Sequence, residues 1–153
     1  MQPTAPRAED DVERKPATRR DGAPYNLAVA REIRNVCVYC ASSRQADPAY
    51  ASEARRLGTI LAEREIRVVY GGGAVGSMGA LADGALSVGG TVTGILPTFM
   101  DDLEWGHRSL SELRLVNDMH ERKRTMIREV DGLVALPGGC GTFEELLEAI
   151  TWK

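Results

Sequence analysis

The residues best placed to do chemistry lie together near the end of the chain, in Pro137-Gly138-Gly139-Cys140-Gly141-Thr142-Phe143-Glu144-Glu145. The apolar run Leu133-Val134-Ala135-Leu136 breaks at Pro137, and a helical pattern restarts at Thr142. That is the strand, tight loop, helix plan whose backbone N–H groups cradle an anion. Glycine lets the backbone approach a phosphate closely and supplies the positive φ such turns use. Thr142 is the expected N-cap, and Thr142-x-x-Glu145 also reads as a capping box in which Glu145 only satisfies an orphan N–H. Three glycines before it exceed what a connecting loop requires, which favours the anion site. Glu144 and Glu145 leave a helix about 100° apart, so single substitutions separate their roles.

A second glycine loop, Gly71-Gly72-Gly73-Ala74-Val75-Gly76, formally matches the dinucleotide fingerprint. It follows the second strand rather than the first, and the next strand, Thr91 to Leu96, has no acidic residue to hold a ribose diol, which argues against NAD. The Walker lysine is missing between Gly71 and Met78, which excludes ATP hydrolysis by that route. Two such loops at one sheet edge fit a mononucleotide or phosphosugar; plain turn chemistry is the bland alternative. Between them, Asp118-Met119-His120-Glu121-Arg122-Lys123-Arg124 enters a helix. A solvated helix face would explain these charges. An arginine near the phosphate loop would instead complete an anion site, and arginine clamps phosphate or a ribose hydroxyl bidentately. Met119, Met126, Ile127 and Val130 supply the buried face and leave Arg122 free to point elsewhere.

Strands and helices must alternate to place these loops. Val36 to Cys40 reads as the first strand. Asp47 caps a helix that has Pro48 at its first position and Tyr50, Ala54, Leu57 and Leu61 on one face, ending near Glu63 to Glu65. Arg67 to Tyr70 is the second strand, followed by a helix rich in small residues up to Val88. Thr91 to Leu96 is the third strand, and a looser segment runs from Thr98 to Ser111. A short strand at Leu113 to Val116, a helix from Met119 to Val130 and a last strand at Leu133 follow. The alternation predicts an α/β fold, a Rossmann-like three-layer α/β/α arrangement on a parallel sheet, with ligands at the carboxyl ends of the strands. The chain stops about a dozen residues into its last helix, so the domain over residues 31–153 is expected to be truncated at its C-terminus, leaving an uncovered helix face and sheet edge.

With 153 residues, 43% hydrophobic and 27% charged, the chain suits one ordinary globular domain. Residues 1–30 are expected to be a disordered tail: Pro3, Pro6, Pro16 and Pro24 are four of the chain's seven prolines, and little there offsets the entropy of ordering. Arg7, Arg14, Lys15, Arg19 and Arg20 balance Glu9, Asp10, Asp11, Glu13 and Asp21, so the tail is no basic nucleic-acid arm. A net charge of −3 gives nucleic acid no general invitation. No secretory h-region and no run of ~18 apolar residues is present, which predicts a cytoplasmic protein without a membrane partner. Cys37-x-x-Cys40 lies on a strand whose side chains alternate faces, so the thiols should diverge, and no second pair accompanies them. No metal is expected.

Three segments together resemble the LONELY GUY family: Tyr70-Gly71-Gly72-Gly73-x-x-Gly76-x-Met78-Gly79, Met119-His120-x-Arg122-Lys123 and Pro137-Gly138-Gly139-x-Gly141-Thr142-x-x-Glu145. The resemblance runs from about Asn35 to Trp152, and Glu104-Trp105-Gly106-His107 is similar to the bacterial pattern before the helix. It implies cofactor-free hydrolysis of the N-glycosidic bond of AMP or N6-substituted (cytokinin) adenosine 5′-monophosphates, giving free base and ribose 5-phosphate. It further implies a homodimer, with Arg122 and Glu145 catalytic. Gly71, Gly72, Gly73, Met78, Glu104, Met119, Lys123, Gly138, Gly139, Gly141 and Thr142 would hold the substrate. Arg122 stays charged and cannot serve as an ordinary acid, so its role would be electrostatic positioning. The rival is a non-catalytic nucleotide-binding protein or an inactive fragment. Lysine decarboxylation, a name sometimes given to the family, needs a Schiff-base lysine and a large cofactor fold; beyond the tail only Lys123 and Lys153 are present.

Overall fold

Successive side chains on a strand point to opposite faces, and the first strand, β1 (Asn35–Tyr39), serves two cores in this way. Val36, Val38 and Cys40 enter one core; Cys37 and Tyr39 enter the other. The computed structural model describes residues 32–103 and 105–152, and the part from Ile33 onward is one unit. The tail expected over residues 1–30 lies outside the described residues.

The elements follow as α1 (Pro48–Glu63), β2 (Arg67–Tyr70), α2 (Gly76–Leu86), β3 (Val92–Pro97), α3 (Thr98–Asp101), β4 (Glu112–Val116), α4 (Met119–Arg128), β5 (Gly132–Ala135) and α5 (Cys140–Trp152). All pairings are parallel, in the order β4-β3-β2-β1-β5. The chain therefore steps outward from β1 to β4 and then returns to the other side of β1. That reversal is a topological switch point, the place where open α/β sheets collect ligands. The expected three-layer arrangement is present: Ala54 and Leu61 of α1 and Leu81, Ala82 and Ala85 of α2 cover one face, while Met126 and Ile127 of α4 and Ala149 of α5 cover the other.

Asp47 caps α1 by accepting from the Ala49 N–H at 2.9 Å, with Pro48 at the first helical position. Helices α1 and α2 meet backbone to backbone. A Cβ on Gly58 would sit 2.1 Å from the Leu81 carbonyl, and one on Gly84 would sit 2.1 Å from the Arg55 carbonyl. Tyr50, expected on the apolar face of α1, is 44% exposed; it lies in the first turn, ahead of the buried Ala54, Gly58 and Leu61. Helices α2 and α4 end two residues earlier than the pattern suggested. The segment expected to be loose between β3 and β4 contains α3 and a one-residue antiparallel bridge from Gly106 to Gly73.

Candidate active site

Both glycine loops sit at carboxyl ends of strands, as expected, and Arg122 ties them together. Asp118 caps α4 by accepting from the Glu121 N–H at 2.8 Å, and Glu121 reaches back to the Asn117 N–H at 2.8 Å. The helix so fixed carries Arg122 inward until it is 5% exposed. Its Nε donates to the Ile95 carbonyl at 3.0 Å, Nη2 to the Gly71 carbonyl at 3.1 Å and Nη1 to Glu145 Oε1 at 3.1 Å. A Cβ on Gly71 would lie 2.0 Å from Nη2. A side chain at position 71 would thus push the guanidinium off the Gly71 carbonyl.

The capping box expected at Thr142 and Glu145 is not built. Helix α5 begins at Cys140, and the Gly139 carbonyl already accepts from the N–H groups of Thr142 and Phe143, at 3.0 and 3.2 Å. Thr142 therefore lies inside the first turn, where it packs so closely on Gly138 that a Cβ there would sit 2.1 Å from Thr142 Oγ1. Glu145 is one turn further in and 5% exposed, which frees its carboxylate for Arg122. The reciprocal cap occurs instead at Asp118 and Glu121, through the same spacing of residue types. Burial pushes the Glu145 carboxyl above its ordinary range, with Arg122 opposing the shift and Glu144 adding to it. A buried carboxylate held by one arginine is poised to take a proton.

These residues line a cavity of about 710 Å³. It brings together Gly71, Gly73, Met78, Met119, Arg122, Gly139, Gly141, Thr142 and Glu145 from the sequence reading. Of the first residues of α5, whose N–H groups a helix leaves without a partner one turn back, Gly141 and Thr142 belong to this wall, the Thr142 N–H being taken by the Gly139 carbonyl. Three expected residues do not line it. Gly72 lies behind the loop, where its carbonyl accepts from the His107 N–H at 2.9 Å. Gly138 lines a neighbouring cleft of about 680 Å³, on the Tyr50 and Phe143 side of the same loop. Lys123 is buried between α4 and α5, its ammonium bonded to Glu144 and Glu148, and those bonds, that to Glu144 foremost, raise its pKa. Glu104 lies outside the described residues.

The cavity also has walls that the sequence did not disclose: Ser42, Ser43 and Arg44 after β1, and Met100 and Trp105 between β3 and β4. The rule that ligands gather at carboxyl ends of strands pointed to the loop after β1, whereas nothing local marks Met100. Cys37 and Cys40 are free thiols on opposite faces of the sheet, each pushed up to about 12, chiefly by burial. No group of three or more potential metal ligands occurs among the described residues.

The family described as "Possible lysine decarboxylase" matches residues 78–153. The cytokinin riboside 5′-monophosphate phosphoribohydrolase LOG7 of Arabidopsis thaliana is 44% identical over 78% of this chain and 55% of its own length. The probable enzyme of the same kind LOGL5, of Oryza sativa subsp. japonica, is 47% identical over 80% of this chain and 50% of its own. The chain belongs to the LONELY GUY family. It spans about half the length of the curated relatives it matches. Among solved structures, the X-ray structure of TM1055 is 30% identical, with a TM-score of 0.69, over 78% of this chain and 70% of that one. The molybdenum cofactor carrier protein of Chlamydomonas reinhardtii is 21% identical, with a TM-score of 0.69, over 79% of this chain and 72% of that one; it shares the fold. For a LONELY GUY chain the decarboxylase description has no support in the site, since Lys123 is enclosed by two carboxylates rather than open to a cofactor aldehyde.

Proposed function

We propose that this protein hydrolyses the N-glycosidic bond of AMP or N6-substituted adenosine 5′-monophosphates, releasing the base and ribose 5-phosphate. The buried Arg122–Glu145 pair, set beside the glycine start of α5 in one cavity, carries this reading. The phosphate takes the free N–H groups around Gly139 and Gly141 and the Thr142 side of the turn, which are preorganised and complemented by the helix dipole. The ribose then lies over Glu145. As the bond from C1′ to the base nitrogen breaks, its electron pair leaves with the base, and the Glu145 carboxylate stabilises the oxocarbenium character at C1′. Water adds to C1′ and its proton passes to Glu145; the base takes a proton from solvent as it leaves, and Glu145 returns its proton to solvent to restore the carboxylate. Arg122 is already engaged by two carbonyls and Glu145, so it fixes the carboxylate in place and keeps it ionised rather than donating a proton.

The relatives' names support the reaction class, and the apolar walls Met78, Met100, Met119 and Trp105 support a purine with or without an alkyl substituent. The same reading carries a cytoplasmic homodimer without nucleic-acid or membrane partners. No helix among the described residues is long and apolar enough to cross a membrane. On α5, Phe143, Leu147 and Ile150 are 62–65% exposed and recur at helical spacing, a surface suited to a second copy; sedimentation at several concentrations tests it. For the reaction, the protein is incubated with AMP and with isopentenyladenosine monophosphate, and free base is followed by chromatography. Base release that vanishes in Glu145→Gln is expected. No release alongside measurable AMP binding would replace the enzyme with a nucleotide-binding protein.

A further inference from the structure

The segment between β3 and β4 is strapped onto the first glycine loop. Gly106 bridges Gly73, the Ala74 N–H donates to the Trp105 carbonyl at 3.1 Å, and the His107 N–H donates to the Gly72 carbonyl at 2.9 Å. The His107 side chain, 11% exposed, fastens the strap to α2: Nε2 lies 3.0 Å from Asp83 Oδ1, while Nδ1 accepts from the Ser109 N–H at 3.2 Å. Nδ1 accepts, so the proton of the neutral ring sits on Nε2 and points at Asp83. Asp83 is held in turn by Arg55 at 3.0 Å. The outcome is a Trp105 whose backbone is held at the cavity rim by bonds to Ala74 and Met100; the residue lines the cavity yet is 54% exposed. The cavity is consequently amphipathic, with the helix start and the ion pair on one side and Trp105, Met100 and Leu96 on another.

Resting on the nucleotide reading of the site, we propose that Trp105 is a specificity-determining residue whose indole stacks on the base, and that His107 is the positioning residue that sets it there. An indole face suits any planar base, and a base–aromatic stack contributes roughly tenfold or more to binding. Discrimination therefore falls between a nucleotide and ribose 5-phosphate, which shares the phosphate and sugar but offers nothing to stack.

The chain has two tryptophans, so in Trp152→Phe the fluorescence belongs to Trp105 alone. AMP is expected to quench it and ribose 5-phosphate to leave it unchanged. Trp105→Ala should raise KM for AMP about tenfold or more with kcat within about threefold, and Trp105→Phe should recover most of the loss. His107→Ala should raise KM likewise, and His107→Gln, which keeps a donor and an acceptor, should restore it. A wild-type KM in Trp105→Ala, or equal quenching by ribose 5-phosphate, overturns the stack and leaves the hydrolase standing. Selective quenching by AMP without any base release keeps the stack and removes the hydrolase. Neither quenching nor release removes both. The fluorescence measurement retains Trp105, so it decides the matter even if Trp105→Ala fails to fold.

Discussion

The two faces of the sheet are held by different physics. On one, α1 and α2 touch through glycines and bury alanine, leucine and valine, with the Arg55–Asp83 pair left at the surface. On the other, α4 and α5 are joined across a thinner apolar cluster by the buried Arg122–Glu145 pair and by Lys123 between Glu144 and Glu148. Close apolar packing stabilises outright, at about 1.5–3 kcal/mol for each large side chain fully buried. A buried ion pair loses hydration and returns little net stability. The difference teaches that the second face tolerates a weaker join in order to hold a carboxylate and a cation out of water at the end of the sheet.

The comparison breaks most visibly at Glu145. Glu145→Gln should lower base release by about 10⁴-fold through loss of proton acceptance and charge stabilisation; circular dichroism should stay near wild type, while Tm falls because buried Arg122 loses its counter-charge. In the unsubstituted protein the same carboxylate must be ionised for the proposed reaction. Its pKa is raised, so kcat should climb with pH through a limb above the ordinary glutamate value of about 4.3, as a pH–rate profile would show; a limb at or below that value contradicts the burial argument. Arg122→Met should cost about 3–5 kcal/mol in urea unfolding at neutral pH by leaving Glu145 buried and unpaired. The loss should shrink in acid, where the carboxyl protonates. Arg122→Met with Glu145→Leu should regain most of that stability and none of the activity, which separates the two functions of the pair. On the opposite face, Gly84→Ala pushes a methyl into the Arg55 carbonyl and should cost about 1–3 kcal/mol with kcat per folded molecule unchanged. Smallest is Glu65→Gly: Glu65 holds φ at 58° beyond α1, so glycine should stabilise by up to about 1 kcal/mol, read as a rise in Tm.

Sequence disclosed the first face more fully than the second. Strand alternation, the Asp47-Pro48 start and both glycine loops are local patterns, and each led to an element within two residues of its observed ends. Glu145 could be singled out, yet its local pattern favoured a cap. What decides its direction is Arg122, which comes from another helix. Lys123 shows the same limit. Beside Arg122 in sequence it looked like a second cation for the ligand, but a helix turns adjacent residues about 100° apart, and that rotation delivers it to Glu144 and Glu148. Trp105 was visible as part of a segment and not as a wall, because only the bridge between Gly73 and Gly106 brings it over the cavity.

The hydrogen bonds of Arg122 also bear on when the site comes into being. They span 51 residues to Gly71, 27 to Ile95 and 23 to Glu145. Contacts of such separation form only after the intervening loops have closed. A partly folded chain in which β2, β3, α4 or α5 has yet to dock thus lacks at least one of the bonds that fix Arg122, and refolding followed by base release should report the docking of all four elements rather than of any one helix.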